Sequence, residues 1–254
     1  MPPPNPSEPA DSWAHYQLYC RVIDALYAVP AHFTSRTAIE GIAATDLQTL
    51  NTVLGATIEE QVVATLNRMR TVWDPEERYQ RFFFQRQAQV FPDVLLKADR
   101  NGQEIILGIE LKGWYLLSKE EMPNFRFQVT ADACAEADLI VVVPWALSNV
   151  LSGMPVTYKP FVTQARYAAE YRNYWWANVR RTSTDKSIAI PEGVSPYPAK
   201  SDQVTDRPAR DGGGNFGRLA RIGIMDEYIT DMLGLPLAGI PAKSWIDFLK
   251  QFEQ

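Results

Sequence analysis

Two acids and a lysine stand out because of where they sit. Glu110 and Lys112 lie two residues apart in EIILGIELKGW (104–114), a run apolar enough to be a buried β-strand. Side chains alternate along a strand, so these two share a face. Asp93 interrupts a second apolar run, QVFPDVLLKA (89–98), and the DRNG that follows carries Asn-Gly, the strongest short hairpin signal. With Asn101 and Gly102 as the turn, Arg100 pairs with Gln103 and Asp93 falls opposite Glu110. Directly opposed side chains have Cβ atoms about 5 Å apart. Facing carboxylates raise each other's pKa unless a positive charge compensates. Mg²⁺ is the obvious one, because it takes hard oxygen ligands and is often held by one or two carboxylates plus waters and a phosphate. The plainer alternative is a strand salt bridge in which Lys112 neutralises Glu110 or Asp93. A longer turn would place Asp93 opposite Gly108 and leave Glu110 diagonal to it, still on the shared face.

The elements that must hold these residues follow from hydrophobic spacing. Helices are expected over 12–28 (Ser12 as N-cap, Pro30 as terminator), 45–54 and 57–70. The last carries Ile58, Val62, Leu66 and Met69 on one stripe, with Glu59 at its border and Glu60 facing water. An N-terminal Glu is also favoured by the helix dipole alone. Strands are expected over 103–112 and 138–144, with a helix over 122–136 between them. The order helix, strand, strand, helix, strand predicts an α/β core over about 57–145. Beyond it, helices are expected over 160–180, 217–233 and from Ser244, with 182–215 as loop and DGGGNFG (211–217) as a hinge or turn. The proline-rich residues 1–11 read as a disordered tail before a single domain over 12–254.

Composition narrows the chemistry. Two cysteines and two histidines, without C-x-x-C or H-x-x-x-H spacing, argue against a zinc site and a disulfide framework. No apolar run approaches the ~20 residues of a membrane helix, and the N-terminus lacks the pattern of a signal peptide, so a cytoplasmic location and no membrane partner are expected. Net charge is −5, yet residues 159–186 hold Lys159, Arg166, Arg172, Arg180, Arg181 and Lys186 against Glu170 and Asp185. An acidic whole with a basic segment fits a protein that meets phosphates on one face, and equally fits ordinary solvated helix faces. The Gly-rich segment lacks a P-loop lysine and the dinucleotide spacing.

Pro92-Asp93 followed by Glu110-Leu111-Lys112, each half on a strand with a helix before and a helix and strand after, resembles the PD-(D/E)-x-K nuclease superfamily. The resemblance covers about 57–145. It implies a restriction-endonuclease-like core, a central mixed β-sheet flanked by helices, with helical N- and C-terminal additions. It implies Mg²⁺-dependent hydrolysis of DNA phosphodiester bonds, most closely that of a type II-like restriction endonuclease; a structure-specific repair or recombination nuclease, or a non-catalytic DNA-binding protein on the same fold, is the alternative. Asp93, Glu110 and the Leu111 backbone carbonyl would hold Mg²⁺, and Lys112 would orient or deprotonate the attacking water. Glu59 and Gln128 would be accessory. A Q-x-x-x-Y pattern found in one branch is absent, since position 132 is Asp. Double-stranded DNA would be the partner, met by region 146–254 through Arg166, Arg172, Arg180 and Arg181. Tyr167, Tyr171, Tyr174, Trp175 and Trp176 would stack on bases or, the favoured reading, pack the core. A palindromic target would call for a homodimer.

Overall fold

Alternation in the aromatic run Phe82–Arg86 buries Phe82 and Phe84 and makes it strand β1 of the computed structural model, which describes residues 2–43, 46–87, 89–98 and 104–252. Strands β2 (Val94–Ala98) and β3 (Ile105–Tyr115) follow. β1 pairs antiparallel with β2, and β2 antiparallel with β3. The register Val94↔Ile109, Leu95↔Gly108, Leu96↔Leu107 is the expected one, and continuing it by one residue sets Asp93 opposite Glu110. A bulge between Leu96 and Lys97 then shifts the pairing to Lys97↔Ile105. The expected Asn101–Gly102 turn lies outside the described residues.

Strand β4 (Leu139–Leu147) runs parallel to β3, and every one of its residues is buried. Strands β5 (Pro155–Thr157) and β6 (Phe161–Gln164) both pair antiparallel with it. The result is a mixed sheet in the order β1-β2-β3-β4-β5, with β6 also on β4. Helices α1 (Tyr16–His32) and α2 (Leu47–Arg68) precede the sheet, with a single turn α3 (Arg70–Trp73). Helices α4 (Ala165–Tyr174), α5 (Asp226–Gly234) and α6 (Ala242–Leu249) follow it. One hydrophobic core runs from Leu18 on α1 to Leu249 on α6. No described helix is long and apolar enough to cross a membrane.

Several expected elements are different in the structure. The crossover from β3 to β4 is not a helix over 122–136 but irregular backbone with one 3-10 turn at Ala131–Ala133. Its polar groups find tertiary partners instead of helical ones. The Phe127 N–H donates to the Gly217 carbonyl (2.8 Å) and the Thr130 N–H to the Val204 carbonyl (2.7 Å), and Arg172 donates to the Phe127 and Val129 carbonyls. A buried backbone needs such partners from somewhere, and a helix is only one source. The two helices expected over 45–54 and 57–70 are one, because Gly55 costs only about 1 kcal/mol in a helix interior. Helix α1 begins after His15 rather than Ser12 and runs through Pro30 to His32. The start of the expected 160–180 helix is β6, and the 217–233 helix shrinks to a 3-10 turn at Leu219–Arg221 and α5. Residues 2–10 have no regular secondary structure and are mostly exposed, with Pro9 buried.

Candidate active site

Strand β3 outruns β2. Their pairing ends at Val94↔Ile109, so the β3 edge beyond Ile109 faces no strand on that side. Two carboxylates take the place of the missing strand. Asp93 Oδ2 accepts the Leu111 N–H at 3.1 Å, and Glu59 Oε1 on α2 accepts the Gly113 N–H at 3.3 Å. Neighbouring polar groups fix both acids. The Gln87 N–H donates to the Asp93 carbonyl (2.6 Å) and Gln87 Nε2 to the Pro92 carbonyl (2.8 Å), so the end of β1 clamps the backbone that carries Asp93. Arg86 Nη2 lies 3.4 Å from Glu59 Oε2.

Gly108 makes the arrangement sterically feasible. A Cβ there would overlap the Pro92 ring and come within 2.9 Å of Asp138 Oδ1. The bare backbone lets Pro92 lie across β3, which delivers Asp93 to its edge. Asp138, fully buried at the start of β4, accepts the Gly108 N–H (2.6 Å), the Ala135 N–H (2.8 Å) and the Tyr197 hydroxyl (3.1 Å). Burial raises its pKa to about 6 despite those bonds. It ties β3 to β4.

Lys112 closes the group. Its Nζ sits 2.7 Å from Asp93 Oδ2 and 3.1 Å from Glu110 Oε1, with side-chain exposures of 25%, 27% and 12% for Lys112, Asp93 and Glu110. Burial and then the Asp93 charge push the Glu110 pKa up to about 7, with Lys112 offsetting only part. Burial also raises the Glu59 pKa, against the pull of Lys112 and the Gly113 N–H. Burial alone would lower the Lys112 pKa, but Glu110 and Asp93 outweigh it and hold the ammonium above its usual range. The site is a carboxylate pair that one lysine does not fully neutralise.

That imbalance suits a dication. No group of three or more His, Cys, Asp or Glu side chains among the described residues converges into a protein-only metal cage. Mg²⁺ does not need one, since two carboxylates can hold it with water and phosphate completing the shell. In a strand a residue's N–H and C=O leave by the same edge. The Leu111 carbonyl therefore faces the edge where its N–H meets Asp93, a third oxygen of the right hardness.

Gln128 lies elsewhere in its contacts. Its carbonyl accepts the Asp206 N–H (2.8 Å) and its side chain packs against Gly217. Arg172 is a correction: at 1% exposure it is paired with Asp206 inside the protein and is no surface contact for DNA. Arg166 donates to the Cys134 carbonyl (2.6 Å), Arg180 is half-buried with its guanidinium 3.6 Å over the Trp176 ring, and Arg181 is exposed. Trp176 is core, and Tyr167, Tyr171 and Tyr174 form a tilted row with ring centroids 5.8 and 6.1 Å apart. Sequence reasoning missed Arg86 and Gln87; nothing in their spacing marks them, because their role comes from β1 lying beside β2. No protein-family model, curated protein or solved structure matches this chain.

The raised Glu110 pKa gives a signed prediction. Below about pH 4.5 the carboxyl is protonated both folded and unfolded; between there and about 7 only the unfolded chain releases the proton. Stability in metal-free buffer therefore falls as pH rises through that window. Glu110→Gln should remove the fall: equal to the parent near pH 4, more stable near pH 8. Added Mg²⁺ should stabilise the parent at pH 8 and leave the variant unmoved. Urea denaturation at the two pH values checks this, and parallel profiles would show that Glu110 is not the strained group.

Proposed function

We propose that the chain is a Mg²⁺-dependent endonuclease that hydrolyses DNA phosphodiester bonds, on a restriction-endonuclease-like core of the PD-(D/E)-x-K type. The observation that carries the reading is the meeting of Asp93 and Glu110 at the Lys112 ammonium, on a strand edge that the neighbouring strand leaves open. Asp93, Glu110 and the Leu111 carbonyl would hold Mg²⁺, which when bound lowers the pKa of water and offsets charge gathering on the phosphate. Lys112, paired with two carboxylates, holds its proton too firmly to serve as the base. Its ammonium instead donates a hydrogen bond that orients the attacking water against phosphorus. Glu59 anchors α2 over the β3 edge and adds negative charge at the rim of the site. In the reaction the water oxygen bonds phosphorus and gives up one proton to solvent, one P–O ester bond breaks, and the leaving oxygen takes up a proton from solvent, so the protons balance.

Among the activities of nucleases of this type, the reading is sequence-specific cutting of duplex DNA. Supercoiled plasmid and phage DNA, unmethylated and incubated with the purified protein and Mg²⁺ or with EDTA, test it. Discrete fragments with Mg²⁺ support restriction; cutting confined to forks or junctions moves the reading to repair or recombination. Intact DNA across all substrates removes the nuclease and leaves at most a binding protein.

A further inference from the structure

The Gly-rich segment DGGGNFG gathers positive charge. Gly213, Gly214 and Gly217 all have positive φ (+89, +60 and +85), a conformation open to glycine. These turns fold the segment onto the crossover at 123–128, where the Gly217 carbonyl accepts the Phe127 N–H. Asp211 fixes the loop, accepting the Asn215 and Phe216 N–H groups at 2.7 and 3.2 Å. Phe216 is buried against the Trp176 ring.

On the outer side three guanidiniums come together. Arg126 lies over Gly214, in the space a side chain there would need. Arg218 donates through Nε to the Gly214 carbonyl (3.2 Å) and through Nη1 to Asn124 Oδ1, and Arg221 donates through Nη1 to Asn215 Oδ1. Those partners are neutral oxygens, and none of the ion pairs among the described residues involves Arg126, Arg218 or Arg221. Burial, then the charges of Arg221 and Arg126, push the Arg218 pKa down, with Glu120 and Asp211 offsetting only part. Like charges held together with only partial compensation and no ion pair suit an anion, and the guanidinium fork pairs two-pronged with phosphate.

The cluster also connects to the site. Phe127, next to Arg126, packs on Phe91 with ring centroids 5.7 Å apart, and Phe91 lies two residues before Asp93. The crossover bearing Arg126 thus buttresses the loop that carries Asp93. We propose that Arg126, Arg218 and Arg221 form a phosphate-contact patch for the backbone of the DNA duplex, holding it while Asp93 and Glu110 act on it. The inference rests on the nuclease reading for its ligand.

Arg126→Gln combined with Arg221→Gln tests it, since both side chains are exposed and the fold is expected to survive. Binding to a labelled DNA duplex is followed by fluorescence anisotropy in EDTA, where nothing is cut, across a salt series. The double variant should bind at least about tenfold more weakly at moderate salt, and its slope of log affinity against log salt should shrink by about two. Arg126→Lys with Arg221→Lys should restore most of the slope. Unchanged affinity and slope in the Gln variant overturn the patch even if the parent cuts DNA. A parent that binds duplex through these arginines but cuts nothing upholds the patch while the nuclease reading fails. A parent that does not bind duplex at all overturns the patch, whatever the cleavage assay gives.

Discussion

Lys112→Ala is expected to lower Mg²⁺-dependent cleavage of plasmid by about 10²- to 10⁴-fold, the range for a group that positions or transfers a proton at the reacting centre. Glu110→Ala should lose at least as much, because it removes a ligand as well. The two should differ in their metal dependence. Lys112→Ala leaves Asp93 and Glu110 facing each other without their ammonium, 2.7 and 3.1 Å away in the parent. A dication then relieves a larger repulsion, so this variant should bind Mg²⁺ at least as tightly as the parent and gain more stability from it. Glu110→Ala should bind Mg²⁺ more weakly and stay inactive as the ion is raised. Lys112→Arg keeps the charge but carries a planar fork in place of a compact ammonium, and should recover little. Cleavage rates and thermal shifts over a Mg²⁺ titration separate these outcomes. Full cleavage by Lys112→Ala or Glu110→Ala would remove the proposed chemistry.

Arg172→Ala should produce the largest loss of stability. Its guanidinium is buried, ion-paired with Asp206, and donates to the Phe127 carbonyl (2.7 Å), the Val129 carbonyl (3.0 Å) and Asn173 Oδ1 (3.1 Å). Its Cζ lies 4.8 Å from the centre of the Phe216 ring. Burial lowers its pKa to about 10, with Asp206 opposing, so it stays charged. Removing it leaves the fully buried Asp206 carboxylate with the Asn173 amide but no counter-charge, and takes the donor from two backbone carbonyls. Breaking a buried pair costs about 3–5 kcal/mol, or roughly 6–20 °C in Tm for a chain of this size. Arg172→Lys should rescue little, because one ammonium cannot span two carbonyls and a carboxylate. Urea denaturation measures the loss; a drop below about 1 kcal/mol would mean that water or a rearranged loop satisfies these groups. The same residue also holds the crossover that buttresses Asp93, so partial loss of cleavage should accompany the loss of stability.

The sequence was most legible where local spacing decides structure. The β2–β3 register expected from Asn-Gly holds at Val94, Leu95 and Leu96, while the bulge after Leu96 sets Lys97 opposite Ile105, one residue from the expected partner. Glu59 stood at the border of the α2 stripe, and its carboxylate meets the Gly113 N–H at the β3 edge. The illegible parts are set by contacts distant in the chain. The crossover has apolar and helix-tolerant residues, but its backbone bonds to residues about 75 to 90 positions away at Val204 and Gly217, and no local pattern reports that. Arg172 read as one of several surface cations because charge patterning cannot see Asp206 folding back onto it. Nothing in the local spacing marks Gly108, yet Pro92 needs its missing side chain.

Manganese substitutes for magnesium in oxygen-rich sites and scatters anomalously, so diffraction from crystals grown with Mn²⁺ tests the central claim most directly. The account predicts an anomalous peak bridging the Asp93 and Glu110 carboxylates beside the Leu111 carbonyl, with the Lys112 ammonium displaced from between them. A protein that cuts DNA with Mn²⁺ yet binds the ion elsewhere, leaving Lys112 paired to both acids, would contradict it.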